Sequence, residues 1–451
     1  MQARRQENPM VSFLGLQIER CAMNRFQAPK GTFDILPQAI AGENWQASEM
    51  WQKVESLLHE SCAKWGFSPI RLPIFESTEL FQKSTGEETD VVQKEMYTFE
   101  DKGERSMTLR PEGTPGSLRA LLESGAFNKS QLQKVYYMGP MFRYERPQKG
   151  RYRQFHQFGV ELLGPRSSWF DAEVIALAYH IPQILGLSRA KLLINTLASD
   201  ACRIKYREKL IEYFSKVKDQ LSEDSKRRLH TNPLRILDSK DPLDEPWKEQ
   251  APKLSDCMSD ESRRFFDEVL CFITKAGIEY EISPRLVRGL DYYCDTVFEV
   301  QIDTVGAQSA IGGGGRYGRM LADMGGPALE GVGFAMGIER LIQATLAAGQ
   351  IKPSSKGPDL FLVAMGQEAA PALFKLACDL RNLGLQIETS PHFEPKKLKH
   401  SLALADTLGA RFVAVLGDNE LSQGKIQLKE MATRQQELVE LSLLYQHIQS
   451  K

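Results

Sequence analysis

Two runs with strand character, KVYYMGPMFRYE and RQFHQFGVELLG, are separated only by a short loop containing Pro147 and Gly150. Strands joined so closely run antiparallel, because a parallel pair needs a crossover of a dozen or more residues. Further strand-like runs follow: KLLINTL, YEISP, DTVFEVQI and GVGFAMG. The large N-terminal part is therefore expected to be α+β, built on a largely antiparallel sheet. Ahead of it, Trp51, Val54, Leu57, Leu58 and Trp65 recur at helical spacing and stop at Gly66. FSPIRLPIFE, with Pro69 and Pro73, then reads as an edge or interface strand.

Between about Asp200 and Ala276 the sequence becomes charged and helical in spacing, and strand character resumes directly afterwards, which marks a helical insertion. The stretch GFAMGIERLIQATLAAGQ reads as the helix that closes the large domain. The expected boundaries are an N-terminal extension over 1–28, a domain over 29–350, a linker over 351–357 and a second domain over 358–451. In that second domain DLFLVAM, a helix from Glu368 to Leu383, GLQIETS, a helix around Lys396 to Leu408 and RFVAVLG alternate as a small α/β unit. The extension carries Arg4 and Arg5 before a short apolar stretch but no cleavage site. It is expected to be poorly ordered, with Met23 as an alternative start.

Charge narrows the function classes. Against 57 Lys+Arg stand 58 Asp+Glu, so bulk positive charge does not hold a polyanion, and any such contact is local. The seven cysteines are scattered and never spaced as C-x-x-C, which argues against a disulfide framework or a zinc ribbon and fits a reducing cytoplasm. No apolar run approaches the ~18 residues of a spanning helix.

Four clusters can carry chemistry. Arg143, Arg146, Lys149, Arg151 and Arg153 lie on and beside the hairpin, and guanidinium forks suit phosphate or carboxylate oxygens. A solvated basic loop explains them equally well. Arg143, Glu145, Gln157 and Glu161 alternate with apolar residues and are expected on one face. In LRPEGTPGSLRA, Glu112 and Thr114 sit at a helix start, where Glu112 either favours the helix N-terminus or binds a small ammonium group. SPRLVRGLDYYCDTVFEV groups Arg285, Arg288, Asp291, Tyr292 and Tyr293, and in IGGGGRYG the glycines are expected to let backbone approach a ligand. Among the seven histidines only His156 lies in such a cluster, and no zinc-ligand spacing or G-x-S-x-G elbow is present.

KGTFDILP, LRPEGT, GPMFRYERPQKGRYRQFHQFGVE, LVRGLDYY, GGGRY and GFAMGIERL, in this order, make the chain resemble the bacterial-type histidyl-tRNA synthetases from about Pro29 to near the C-terminus. The resemblance implies a class II catalytic domain on an antiparallel sheet with a helical insertion, and a C-terminal α/β anticodon-binding domain. It implies a homodimer formed through motif 1, here the helix before Gly66 and the strand containing Pro73. Motif 2 is then the hairpin with Arg143, and motif 3 ends in Glu339 and Arg340. The implied substrates are L-histidine, ATP with Mg²⁺ and tRNA(His). No zinc, organic cofactor, dedicated metal site or membrane partner is expected.

Carried over by motif position, Arg143 and Arg288 are the catalytic arginines. Arg143 holds the α-phosphate, and Arg288 bridges it to the amino-acid carboxylate. Glu145 contacts adenine, and Arg151 and Arg340 contact the outer phosphates. Glu112, Thr114, Gln157 and Tyr292 belong to the histidine site. Glu161 and Tyr293 match the two nitrogens of a neutral imidazole, and Tyr317 belongs to the lid over it. The chain departs from the family at Gly318, where Asp is frequent, and at Cys294 and Asp295, which bear on closure of that lid. The alternative is a histidine-binding regulatory paralogue that charges no tRNA. Such paralogues generally lack the anticodon domain and parts of the activation motifs, and both are represented here. Class II synthetases for threonine, proline or glycine have related anticodon domains, but RQFHQFGVE and LVRGLDYY favour histidine.

Overall fold

In the computed structural model the described residues are 26–37, 42–86, 89–146, 150–187, 190–237, 239–302, 310–350, 357–392 and 397–450. The first 25 residues, including Met23, lie outside them, as do Lys149 and most of the expected linker. The chain divides into two compact units, Met1–Lys352 and Pro353–Lys451.

The strands of the first unit are β1 (Ser68–Pro69), β2 (Phe75–Ser77), β3 (Tyr97–Glu100), β4 (Ser106–Leu109), β5 (Gln133–Phe142), β6 (Gln154–Gly164), β7 (Ala190–Thr196), β8 (Tyr280–Ile282), β9 (Cys294–Ile302), β10 (Ala310–Tyr317) and β11 (Glu330–Gly337). Eight of them form one sheet in the order β1-β5-β6-β11-β10-β9-β7-β8, and β2-β4-β3 form a small second sheet. In the large sheet only the two outermost pairings, β1 with β5 and β7 with β8, are parallel. The hairpin β5–β6 pairs Gln133 with Leu163 through to Phe142 with Gln154, so alternation puts Phe155, Gln157 and Glu161 on one face.

Why the sheet folds is legible in its backing. The helix Ser48–Lys64 buries Met50, Trp51, Val54, Leu58 and Cys62, and Gly66 beyond its end takes a φ of 74°. Together with the helix Ser168–Ile184 it covers one face of the sheet through Phe158, Val160, Phe298 and Phe334. The motif 1 strand is shorter than expected. It ends at Pro69, which lacks the N–H to continue a ladder, and Pro73 lies in the irregular stretch before β2. The C-terminal helix of this unit is also shorter than its sequence suggests: GVGFAMG completes β11, and helix begins at Ile338.

The helical stretch between β7 and β8 falls into two parts. Helices Asp200–Lys216 and Glu223–Thr231 close over their own core of Tyr206, Leu210, Phe214, Leu221, Leu229 and Ile236. Helix Asp260–Lys275 instead sends Phe265, Phe266, Val269 and Ile273 into the main core.

The second unit carries β12 (Leu360–Met365), β13 (Ile387–Thr389), β14 (Phe412–Gly417), β15 (Lys425–Glu430) and β16 (Gln436–Glu440) in the order β13-β12-β14-β15-β16. The first three run parallel, with helices Ala369–Asn382 and Leu398–Thr407 between them, and β15 and β16 add antiparallel. No helix among the described residues is long and apolar enough to cross a membrane.

One polar knot holds the small helical part together. Asp244, without exposed surface, accepts hydrogen bonds from the Ser222 backbone N–H (2.9 Å) and from the hydroxyls of Ser222 (2.7 Å), Ser225 (2.7 Å) and Ser239 (2.5 Å). Burial works against its charge, but these hydrogen bonds outweigh it and hold the carboxyl below the usual range. A lowered carboxyl stabilises the fold above its unfolded pKa of about 3.9, and that contribution is lost as the pH falls through the lowered value. Asp244→Ala is expected to cost about 1–3 kcal/mol at neutral pH, with the difference from the unaltered protein shrinking in acid, measured by thermal unfolding across pH.

Candidate active site

The residues singled out from sequence converge on one face of the large sheet, in two adjoining places. The first is a closed chamber. Glu112 precedes the helix Thr114–Glu123, and its carboxylate accepts from Thr85 Oγ1 (2.8 Å) and the Tyr292 hydroxyl (2.9 Å). The helix N-cap is Gly113, and the Glu112 carboxylate takes its two hydrogen bonds from side chains outside this helix. On β6, Glu161 accepts from Thr114 Oγ1 (2.6 Å) and the Tyr317 hydroxyl (2.6 Å). Both carboxyls are buried, and neither has an ion-pair partner within 4 Å among the described residues.

Electrostatics follow from that enclosure. Burial pushes the Glu161 carboxyl up to about 8, against the two hydrogen bonds it accepts and with the help of nearby Glu112. Burial likewise raises Glu112, opposed by Arg143 and by hydrogen bonds from Thr85 and Tyr292. The phenols of Tyr137, Tyr292 and Tyr317 are raised well above their usual value, first by burial and then by these carboxylates. They remain neutral and able to donate hydrogen bonds. Tyr293 is buried beside Tyr292, with ring centroids 4.5 Å apart.

The second place is an open cleft of about 320 Å³ lined by Arg143, Glu145, Arg151, Gln157, Arg288, Glu299 and Arg340. Arg143 Nε is fixed on the Pro111 carbonyl (2.9 Å), and Arg340 donates to the carbonyls of Gly150 (3.2 Å) and Ala310 (2.6 Å). Burial, with nearby Arg151 second, lowers the Arg340 guanidinium. Arg151 pairs with Glu145 at 3.1 Å and Arg288 with Glu299 at 3.2 Å. Gln157 Oε1 and Arg288 Nε are buried without a hydrogen-bond partner. Such groups cost free energy unless something arrives to meet them. Arg288 also stands 6.0 Å from the Tyr293 ring, so it links cleft and chamber.

All twelve expected site residues are thus brought together, and several neighbours turn out differently. Arg153 stacks on Tyr144, Arg146 is exposed, and Arg285 pairs outside the site with Glu245. His156 is structural: Glu339 Oε1 accepts from its backbone N–H (2.7 Å) and meets its Nδ1 (3.0 Å), and the ring packs edge-on against Trp51. The glycine run is a central strand, β10, and its Gly312 and Gly313 line the cleft. A Cβ on Gly313 would stand 2.7 Å from Arg288 Nη1 and one on Gly315 2.9 Å from Tyr293 Cδ1, so these glycines make room for side chains that face the site.

Sequence reasoning missed Tyr137, Glu299 and the buried Arg316. Tyr137 and Glu299 lie inside runs that read only as strand. Arg316 ion-pairs with buried Asp171 and donates to Glu330 Oε2 (2.8 Å) and the Ser167 carbonyl (2.9 Å), locking β10 behind Tyr317. At the family departures, a Cβ on Gly318 would sit 3.2 Å from Cys294 Sγ, so the two altered positions are neighbours. Asp295 takes a φ of 43° and pairs with Arg166 at 2.9 Å.

An antiparallel sheet carrying a motif 2 hairpin, a motif 3 strand and helix, and an arginine-lined cleft beside a closed chamber of carboxyls and tyrosines is the architecture of a class II aminoacyl-tRNA synthetase. Residues 41–341 match the histidyl-tRNA synthetase family, and residues 359–451 match the anticodon binding domain. The histidine--tRNA ligase of Geobacillus sp. (strain WCH70) is 45% identical over 429 residues, covering 94% of this chain and 99% of that one. That of Bacillus subtilis (strain 168) is 46% identical over 414 residues, covering 91% and 95%. The apo histidyl-tRNA synthetase of S. aureus superposes with a TM-score of 0.78 at 38% identity, over 94% of this chain and 99% of that structure. The chain belongs to the histidyl-tRNA synthetase family.

Because burial raises Glu161 to about 8, the carboxyl is mostly protonated at neutral pH and ionises as the pH rises. A ligand whose N–H needs that carboxylate should therefore bind more tightly between pH 7 and 8.5. Free imidazole, with a pKa of about 6.5, contributes little in that window. Titration calorimetry with histidine is expected to show this rise, and Glu161→Gln is expected to abolish it.

Proposed function

We propose that the protein activates L-histidine with Mg-ATP and transfers it to the 3′ end of tRNA(His). The observation that carries this reading is Arg288, whose buried and unpartnered Nε stands where the chamber opens into the arginine cleft.

Glu112, with Thr114 and Gln157, receives the α-ammonium and main polar groups of histidine. Glu161 accepts an imidazole N–H, and Tyr293 donates toward the other ring nitrogen. A side chain lacking either group would leave a buried polar partner unmet, and sites of this kind discriminate by about 10⁴–10⁵-fold. Tyr292 holds Glu112, and Tyr317 holds Glu161. On the nucleotide side Arg143 takes the α-phosphate, Glu145 the adenine, and Arg151 and Arg340 the outer phosphates.

One carboxylate oxygen of histidine attacks the α-phosphorus, the bond to the bridging oxygen breaks, and pyrophosphate leaves. Arg288 spans the attacking carboxylate and the α-phosphate, and its guanidinium neutralises the charge that builds there. The terminal adenosine hydroxyl of the tRNA then attacks the histidyl carbonyl carbon and releases AMP. The carboxylates lining the cleft are engaged by Arg151, Arg288 and His156, and among the described residues no group of three or more His, Cys, Asp or Glu is placed to hold a metal. Magnesium enters as part of the nucleotide substrate.

The second unit reads the tRNA anticodon. The cytoplasm is the compartment that supplies these substrates and keeps the free cysteines reduced. A second copy of the chain covers the motif 1 side of the fold, where Ile74, Phe75 and Phe99 are exposed and the two phenyl rings meet edge to face at 6.2 Å. Phe75→Asp is expected to shift a dimer toward monomer in sedimentation velocity.

The decisive experiment is exchange of labelled pyrophosphate into ATP across all twenty amino acids. Histidine alone should support exchange, and Arg288→Ala should lower it by at least about 10²-fold, the usual scale for losing one transition-state charge contact. Exchange with another amino acid, or none with any, would reject the reading.

A further inference from the structure

The stretch from Ser283 to Tyr293 carries Arg288, Tyr292 and Tyr293, yet beyond Ile282 it has no strand or helix of its own until β9 begins. Its backbone must be held from outside, and the holders are unequal. From the sheet side the Ser283 N–H donates to the Ile194 carbonyl (2.9 Å), and Asn195 Nδ2 donates to the carbonyls of Pro284 (3.3 Å) and Leu286 (2.9 Å). These bonds end before Arg288.

From Gly289 onward the polar contacts come largely from the helical insertion. Arg235 Nη2 donates to the Gly289 carbonyl, and Asn232 Nδ2 donates to Asp291 Oδ1 (3.0 Å). Arg203 donates to the Tyr293 carbonyl. Arg235 lies 3.8 Å from Asp291 and 3.7 Å from Asp90, so it also ties the stretch to the segment that follows Gly86. On the opposite side Asp291 packs against Gly86 and its N–H reaches the Thr85 carbonyl (3.4 Å), while Thr85 itself donates to Glu112.

We propose that Asn232 and Arg235 of the insertion are positioning residues for amino-acid activation. They fix the Gly289 carbonyl and the Asp291 side chain, and through them the directions in which Arg288, Tyr292 and Tyr293 point. The inference rests on the function proposed above, and it makes the insertion part of the activation site itself. The geometry also says which substrate feels it. Tyr292 and Tyr293 serve histidine, whereas the ATP groups assigned to Glu145, Arg151 and Arg340 sit on the hairpin and the motif 3 helix, and of this stretch Arg288 lines their cleft. Arg143 likewise follows β5.

The test is pyrophosphate exchange by the full-length protein, with KM for histidine and for ATP measured separately. Arg235→Ala and Asn232→Ala are expected to raise KM for histidine about 10-fold and lower kcat, the scale of one lost charge-assisted or buried hydrogen bond. KM for ATP should stay within about twofold, a split that mere loss of folded protein cannot produce. Arg235→Lys, which keeps a cationic donor, should restore part of the histidine affinity. Lys216→Ala, on the exposed face of the same insertion, should leave all constants unchanged. Asn232→Ala removes little volume, so it stays informative if Arg235→Ala misfolds. Unchanged KM for histidine in the folded variants overturns the proposal, as does an equal rise in both KM values. Failure of the unaltered protein to exchange with histidine would instead overturn the proposed function, and this inference with it.

Discussion

Two carboxylates, Glu112 and Glu161, are enclosed by the protein without a cation paired to either among the described residues. Removing a charge from water costs several kcal/mol unless partners replace the lost solvation. Here the replacement is a set of neutral hydroxyls, from Thr85, Thr114, Tyr292 and Tyr317, each supplied by a different part of the chain. The sheet register that aligns β6, β10 and β11, the glycines that leave room above β10, and the buried Arg316–Asp171 pair behind Tyr317 all serve to bring those hydroxyls to the same place. The hydroxyls satisfy part of each carboxyl and leave the rest for a ligand that brings N–H groups. Histidine has them at both ends.

Much of this was legible in the amino-acid sequence because it is local. The β5–β6 hairpin follows from a short loop between two alternating runs, and alternation alone placed Gln157 and Glu161 together. The pairing of the second domain's first three strands with intervening helices followed from the same kind of pattern. What escaped depends on contacts distant in sequence. IGGGGRYG has poor strand propensity and is not among the runs with strand character; it is a central strand whose neighbours need the space a side chain would occupy. Tyr137 and Glu299 were hidden because a polar residue in a strand run does not announce which face it takes. β2, β3 and β4 are three or four residues long, too short for any period to show. β15 and β16, rich in charged and polar side chains, carry little apolar signal.

The helical insertion shows the limit of reading by segment. Its charged, helical sequence sets it apart from the sheet, and its core of Tyr206, Leu210 and Phe214 is its own. Yet its polar side chains reach the stretch that carries Arg288. Hydrophobic pattern delimits what folds together, whereas a few donors at the border decide what works together.

The eight-stranded sheet ends at both margins in a stub: β1 is two residues long and closes on Pro69, and β8 is three. A sheet margin with a long row of free N–H and C=O groups recruits further strands from any chain that meets it. Stubs offer almost no such row. A wide and strongly apolar sheet can therefore be maintained at high protein concentration, as copies emerge close together on one messenger, without the margins seeding aggregates.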